Sequence, residues 1–343
     1  MASHPYKNLP ERSFWRPSIA ERHFSELDAL WKPLDLSPSE RVATAGSCFA
    51  QHIGRNLALR GANFIDLEPA PPLFSDQTEA RRWGFGVFSC RYGNIYTARQ
   101  LVQLFDEAFG DRRPAECVWL KKGRFFDALR PGIDPVGQEN AETVLALREK
   151  HLQRVREMFE SLDLFVFTLG LTEGWVGVAD ETVFPTAPGT IAGSFMREKY
   201  RFHNFRHSEI LADMEGFWAR LKRVNPGARM LLTVSPVPLN ATASEDHVLC
   251  ANFYSKSVLR SVAGELSHDY DGIYYFPSYE VIMAPNARGA FFDPDQRSVN
   301  QYGVDLVMSY FFSGSMAERF NQAGAVGDDF EVICDEDRLD SSE

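Results

Sequence analysis

The sequence predicts an α/β protein built on a parallel sheet. Short apolar runs recur along the chain, and each stops at a residue that breaks regular structure. Val42-Ala43-Thr44-Ala45 stops at Gly46-Ser47, and Asp163-Leu-Phe-Val-Phe-Thr-Leu169 stops at Gly170. Arg229-Met-Leu-Leu-Thr-Val-Ser235 stops at Pro236, and Gly272-Ile-Tyr-Tyr-Phe276 stops at Pro277. Runs without polar alternation suit strands buried on both faces. Amphipathic segments with helical spacing separate the runs, as parallel strands require. Right-handed crossovers then bring all strand C-termini to one edge. Ser47, Gly170, Pro236 and Pro277 therefore share that edge.

Taken in order, residues 1–40 are rich in Pro, Ser and charge and read as an arm laid over the domain, anchored by Phe14, Trp15 and Trp31. The first strand covers about 41–45. Phe49, Ile53 and Leu57 mark one face of the following helix. Ala62-Asn-Phe-Ile-Asp66 reads as a second strand. Pro69-Ala-Pro-Pro72 opens a long irregular stretch that ends at Arg91-Tyr-Gly-Asn-Ile-Tyr-Thr97. Thr97 is placed to cap a helix carrying Leu101, Leu104, Phe105 and Ala108. Val118 to Phe126 reads as a hairpin turning at Lys122-Gly123, part of a first insertion. Asn140 caps a long helix through Leu145, Leu152, Val155 and Phe159. After the strand at 163–169, residues 175–207 form a second insertion with turn signals at Ala179-Asp180 and Pro188-Gly189. Helices are expected from Ser208, over 251–269 and from Asn300. With strands at 229–235 and 272–276, the count is about five parallel strands. The domain spans 41–322, and 323–343 reads as an acidic, disordered tail.

The bulk properties narrow the function classes. A chain of 343 residues with 44% hydrophobic content can bury a sizeable core. A net charge of −11 argues against nucleic-acid or anionic-membrane partners. Five cysteines without C-x-x-C spacing fit free thiols in a reducing compartment. The first residues lack the apolar core of a signal peptide, and no run approaches membrane-spanning length. The expectation is a cytoplasmic protein. No metal or cofactor is expected from ligand spacing.

Ser47 sits at a strand–turn–helix junction. There a hydroxyl rises above the sheet edge with a helix N-terminus behind it, whose free N–H groups and dipole favour an oxyanion. Acyl transfer needs that arrangement. A plain capping serine fits the same local pattern. Cys48 is the competing nucleophile, since a thiol is intrinsically more reactive, although a free cysteine there also suits the core.

The pentapeptide Gly46-Ser-Cys-Phe-Ala50 resembles the signature of the GSCFA family, a branch of the SGNH (GDSL-like) hydrolases. The segments 91–97, Leu169-Gly-Leu-Thr-Glu-Gly-Trp175, Thr233-Val-Ser-Pro-Val-Pro-Leu239, Ser255-Lys-Ser257 and Tyr275-Phe-Pro-Ser-Tyr-Glu280 resemble it too, in the same order. The resemblance implies a flavodoxin-like doubly wound sheet with two insertions above its C-terminal edge. It also implies a serine esterase or acyltransferase acting on a small-molecule or carbohydrate ester. Gly93 and Asn94 align with the second block of such enzymes, and Gly170, Thr172 and Glu173 with the third. The N–H groups of Ser47, Gly93 and Thr172 are the expected oxyanion donors. A turn at Gly93-Asn94 and a helix-start role for Glu173 are the structural alternatives. Thr172 stands where relatives often carry Asn.

The general base departs further from the pattern. Relatives place Asp-x-x-His before the last helix, and here Asp295-Gln-Arg-Ser298 stands there. Serine is no general base. His247, on the loop after the fourth strand, is the preferred substitute. His203 and His207 come next, and Asp295 or Glu280 would orient the imidazole. Insertion aromatics, Trp119, Phe125, Trp175, Phe184 and Tyr200, are expected to line a pocket. The rival reading is a catalytically weak SGNH-like module that binds a glycan or other ligand.

Overall fold

The computed structural model describes residues 4–320 and 332–336. β1 (Val42–Gly46) leads into α1 (Ala50–Leu59), followed by α2 (Gln77–Arg82) and α3 (Ala98–Ala108). A hairpin of β2 (Val118–Lys121) and β3 (Arg124–Asp127) precedes α4 (Ala141–Ser161). After β4 (Leu164–Leu169) come β5 (Glu173–Gly177), β6 (Val183–Phe184), β7 (Tyr200–Asn204) and α5 (His207–Val224). The order closes with β8 (Arg229–Val234), α6 (Val248–Asp269), β9 (Ile273–Tyr275), α7 (Ser278–Ile282), α8 (Gln301–Phe311) and α9 (Ser315–Arg319).

The architecture is mixed α/β around a four-stranded parallel sheet in the order β1-β4-β8-β9. Alternate residues of each strand enter opposite cores. Ala43, Ala45, Phe165, Phe167, Met230 and Leu232 pack with α3, α4, α5 and α6 on one face. Val42, Leu164, Val166 and Leu231 pack with α1, α7 and α8 on the other. Burial on both faces is why the strands read as unbroken apolar runs.

The predicted second strand reduces to one bridge. Phe64 pairs with Val42 in parallel register, and the ladder goes no further. The Asp66 carboxylate accepts the Glu68 N–H at 3.1 Å, an Asx turn that leads the chain away from the sheet. The sheet therefore has four strands rather than five.

Other local expectations match what the chain does. Thr97 and Gln100 form a reciprocal capping box on α3. Asn140 caps α4 and Asn300 caps α8. The β2–β3 hairpin turns at Lys122-Gly123, both at positive φ (48° and 77°), as a tight two-residue turn requires. The second insertion is a three-stranded antiparallel sheet, β6-β5-β7.

In the arm, Trp31 is the aromatic that anchors. It stacks on Phe311 and meets Phe276 edge-on, and its indole N–H donates to Tyr310 O at 2.7 Å. Phe14 and Trp15 stay exposed, and the aliphatic Leu27, Leu34 and Leu36 do the rest of the burying. Of the stretch expected to be a disordered tail, residues 332–336 are seated against the sheet edge. The rest of that stretch lies outside the described residues. Among the described residues, no helix is long and apolar enough to cross a membrane.

Candidate active site

Gly46 makes the turn after β1 at φ +129°, where a Cβ would sit 2.3 Å from Thr168 O. Only glycine allows the chain to leave the sheet here. Ser47 follows, buried at 2% exposure, with its N–H donating to Thr168 O at 3.1 Å. Its hydroxyl does not cap α1, because the N-cap position falls on Phe49. Ser47 Oγ has no hydrogen-bond partner among the described residues.

Three more buried hydroxyls at this edge share that condition: Thr168 at the end of β4, Thr172 just beyond it and Ser235 after β8. Buried polar atoms are nearly always paired. Four hydroxyls without a partner among the described residues thus mark the C-terminal end of the parallel sheet, a polar setting suited to a polar ligand.

Loops that follow the strands pack around this edge. Ile95 N–H donates to Gly46 O, and Leu171 N–H to Tyr96 O. Gly170 packs directly on the serine; a Cβ there would sit 3.0 Å from both Ser47 Cβ and Tyr96 O. Lys256 of α6, only 1% exposed, donates from Nζ to Gly170 O at 2.8 Å. Burial lowers its pKa to about 8.

A family profile adds to this geometry: that of the GSCFA family matches residues 41–311. The chain belongs to the GSCFA family. A comparison with curated proteins returns no match.

Within this GSCFA domain the predicted site residues divide into two groups. Ser47, Asn94, Gly170 and Thr172 gather at the edge. The oxyanion expectation changes in detail, however. The N–H of Ser47 is taken by Thr168 O, and that of Thr172 by Ser255 Oγ at 3.0 Å. Two of the three expected backbone donors are thus engaged. Side-chain donors also line the edge: Thr172 Oγ1 has no partner among the described residues, while Asn94 Nδ2 and Gln51 Nε2 hold Ile333 and Asp335. Gly93 turns at φ +70° next to Asn94. Glu173 opens β5 rather than a helix. It accepts from Thr242 Oγ1 at 2.7 Å, and burial raises its pKa.

Among the described residues, no histidine hydrogen-bonds the Ser47 hydroxyl. His247 is exposed and caps α6, its Nδ1 accepting the Leu249 N–H at 3.2 Å. His203 pairs with Glu209 and His207 with Glu265. The carboxylates expected to orient an imidazole hold other partners. Glu280 pairs with Arg260 and the Tyr275 hydroxyl, while Asp295 accepts from Ser298 Oγ and the N–H groups of Arg297 and Ser298. A helix-capping sequence explains His247, because the first turn of α6 lacks a better acceptor.

Sequence reading missed Gln51, Lys256, Arg297 and the segment 332–336. Lys256 left a trace. It lies three and seven residues before Leu259 and Ala263, on the buried face of α6, where a lysine is out of pattern. Next to Thr172 lies a cleft of about 160 Å³, lined among others by Leu171, Glu173, Trp175, Phe184 and Phe202. Trp119 and Tyr200 instead pack into a separate core beneath the second insertion.

Proposed function

We propose that this GSCFA protein is a serine-dependent ester hydrolase or acyltransferase of SGNH-like architecture. The observation that carries the reading is the unpaired, buried Ser47 hydroxyl at the C-terminal end of β1, among three other unpaired hydroxyls. The strand order also supports it. The four strands run β1-β4-β8-β9 with the single Phe64 bridge on the outer side of β1, an arrangement similar to flavodoxin-like folds, whose ligands sit at strand C-termini.

In this reading Ser47 Oγ attacks an ester carbonyl. The oxyanion is met by Asn94, Gln51 and Thr172 donors. Lys256, partly neutral near pH 7 because burial depresses its pKa and held on the O of Gly170 beside Ser47, accepts the serine proton. Serine–lysine pairs are a known variant of the serine–histidine arrangement. The leaving alcohol takes the proton, and water or a second alcohol then accepts the acyl group. The aromatic cleft at this edge suits an acylated carbohydrate, whose ring faces stack on Trp and Phe.

The test is labelling with a fluorophosphonate. Ser47→Ala should abolish it and Cys48→Ala should keep it. Lys256→Met should slow hydrolysis of a p-nitrophenyl acetate by roughly 10²–10⁴-fold, whereas His247→Ala should barely change it. The reverse ranking would return the base to His247. The rival reading, a ligand-binding module, draws on Ser298 in the place of the base. It would be favoured if the reduced protein neither labels nor turns over ester.

A further inference from the structure

The residues 332–336 lie across the candidate site like a bound peptide. Gln51 clamps one peptide residue from both sides: its Nε2 donates to Ile333 O at 2.7 Å, and Ile333 N–H donates to its Oε1 at 3.0 Å. Asn94 Nδ2 donates to the same Ile333 carbonyl at 3.1 Å and to Asp335 Oδ2 at 3.0 Å. Asp335 N–H donates to the Tyr96 hydroxyl at 3.2 Å. Arg297 Nη2 pairs with Glu336 Oε2 at 3.0 Å, and Asn240 Nδ2 donates to Glu336 O at 3.0 Å. Two of the side-chain donors assigned above to an oxyanion, on Gln51 and Asn94, thus hold a backbone carbonyl of this segment.

The segment also borders the aromatic cleft. Asp335 and Glu336 line the cleft, while Cys334, next to the Ile333 held by Gln51, neighbours Cys48, the residue beside the serine. The Cys48 thiol is 3% exposed, and the neighbouring Cys334 thiol together with burial raises its pKa. Arg297 Nη2 reaches Cys334 Sγ at 3.5 Å, and the Tyr96 hydroxyl lies 3.8 Å from it. A guanidinium beside a thiol favours its thiolate.

We propose that residues 332–336 are an internal ligand of the Ser47 site, seated where substrate would enter, and that a disulfide between Cys48 and Cys334 fastens them there. The oxidant is a low-molecular-weight disulfide. The Cys334 thiolate attacks one sulfur of the oxidant, forming a mixed disulfide and releasing one thiolate, which takes up the Cys48 proton. Cys48 sulfur then attacks Cys334 sulfur and expels the second thiol. Two protein thiols are oxidised, and one disulfide is reduced to two thiols. Reduction reverses the sequence and frees the segment to be displaced. That fastening it silences an enzyme rests on the reading of Ser47 as nucleophile; the seat and the disulfide do not.

The experiment treats the full chain with oxidised glutathione and counts thiols after denaturation. We expect a loss of two of the five, with a tryptic peptide joining Cys48 to Cys334 by mass spectrometry. Cys48→Ser and Cys334→Ser should each remove that link. Glutathione on Cys334 without the link, or no thiol loss, would overturn the fastening. Hydrogen exchange tests the seat in the reduced chain. The amides of Ile333 and Asp335 should exchange at least about tenfold slower than free peptide and accelerate in Gln51→Ala. Exchange at the free-peptide rate would overturn the internal ligand. A chain that links and protects as expected, yet never labels at Ser47, would leave this inference standing and remove the esterase reading.

Discussion

Lys256→Met separates a charge buried for chemistry from one buried for stability. The side chain is almost fully buried, and its pKa falls from 10.5 to about 8, chiefly through burial. At ~1.4 kcal/mol per pH unit, keeping the charge inside costs the fold about 3 kcal/mol. Methionine has similar volume and no charge, so it removes that cost. It also removes the bond to Gly170 O, and an unsatisfied buried carbonyl costs about 1–3 kcal/mol. The variant should therefore match the parent at pH 7 or exceed it by up to about 2 kcal/mol.

The pH dependence follows from the direction of the shift. Below pH 8 both folded and unfolded parent carry the proton, and the full penalty applies. Between pH 8 and 10.5 the unfolded chain binds more protons than the folded one, so the parent gains stability as pH rises. The variant lacks this gain. Its advantage should fall by about 3 kcal/mol across that window and change sign. Urea denaturation of both chains at pH 7, 8.5 and 10, followed by tryptophan fluorescence, measures the difference, and titrations common to both chains cancel. A swing under about 1 kcal/mol, or a variant more than about 3 kcal/mol less stable at pH 7, would refute the argument.

Four further outcomes are expected. Ser47→Ala should leave the urea midpoint nearly unchanged, because the hydroxyl it removes has no partner among the described residues, while abolishing fluorophosphonate labelling. His247→Ala should cost at most about 1–2 kcal/mol, the value of a helix cap, and leave the pH–rate profile of ester hydrolysis as in the parent. Gly46→Ala should destabilise by more than about 3 kcal/mol in the same denaturation assay, since both its φ and the approach to Thr168 O exclude a Cβ. Arg148→Met should cost about 3–5 kcal/mol by leaving the buried Glu107 and Asp127 without their shared cation.

Much of the fold was legible because its signals are local. Thr97, Asn140 and Asn300 announce helix starts through a side chain that bonds a backbone N–H two or three residues away. Lys122-Gly123 announces a hairpin through two positive φ angles. Apolar runs ending at Gly46, Gly170, Pro236 and Pro277 locate the edge where Ser47 lies, since burial on both faces leaves no room for polar alternation. By itself the sequence thus determined the parallel sheet, the position of Ser47 and the family. What only the tertiary structure decided depends on contacts between distant residues. Phe64 stops at a single bridge because the Asp66 turn diverts the chain. Two expected oxyanion N–H groups are taken by Thr168 and Ser255, and Lys256 rather than His247 reaches Gly170. Gln51 and Ile333, separated by 282 positions, meet across the site. Periodicity and capping report neighbours within one or two turns of chain, and pairings at that separation exist only once the sheet edge has formed to receive them.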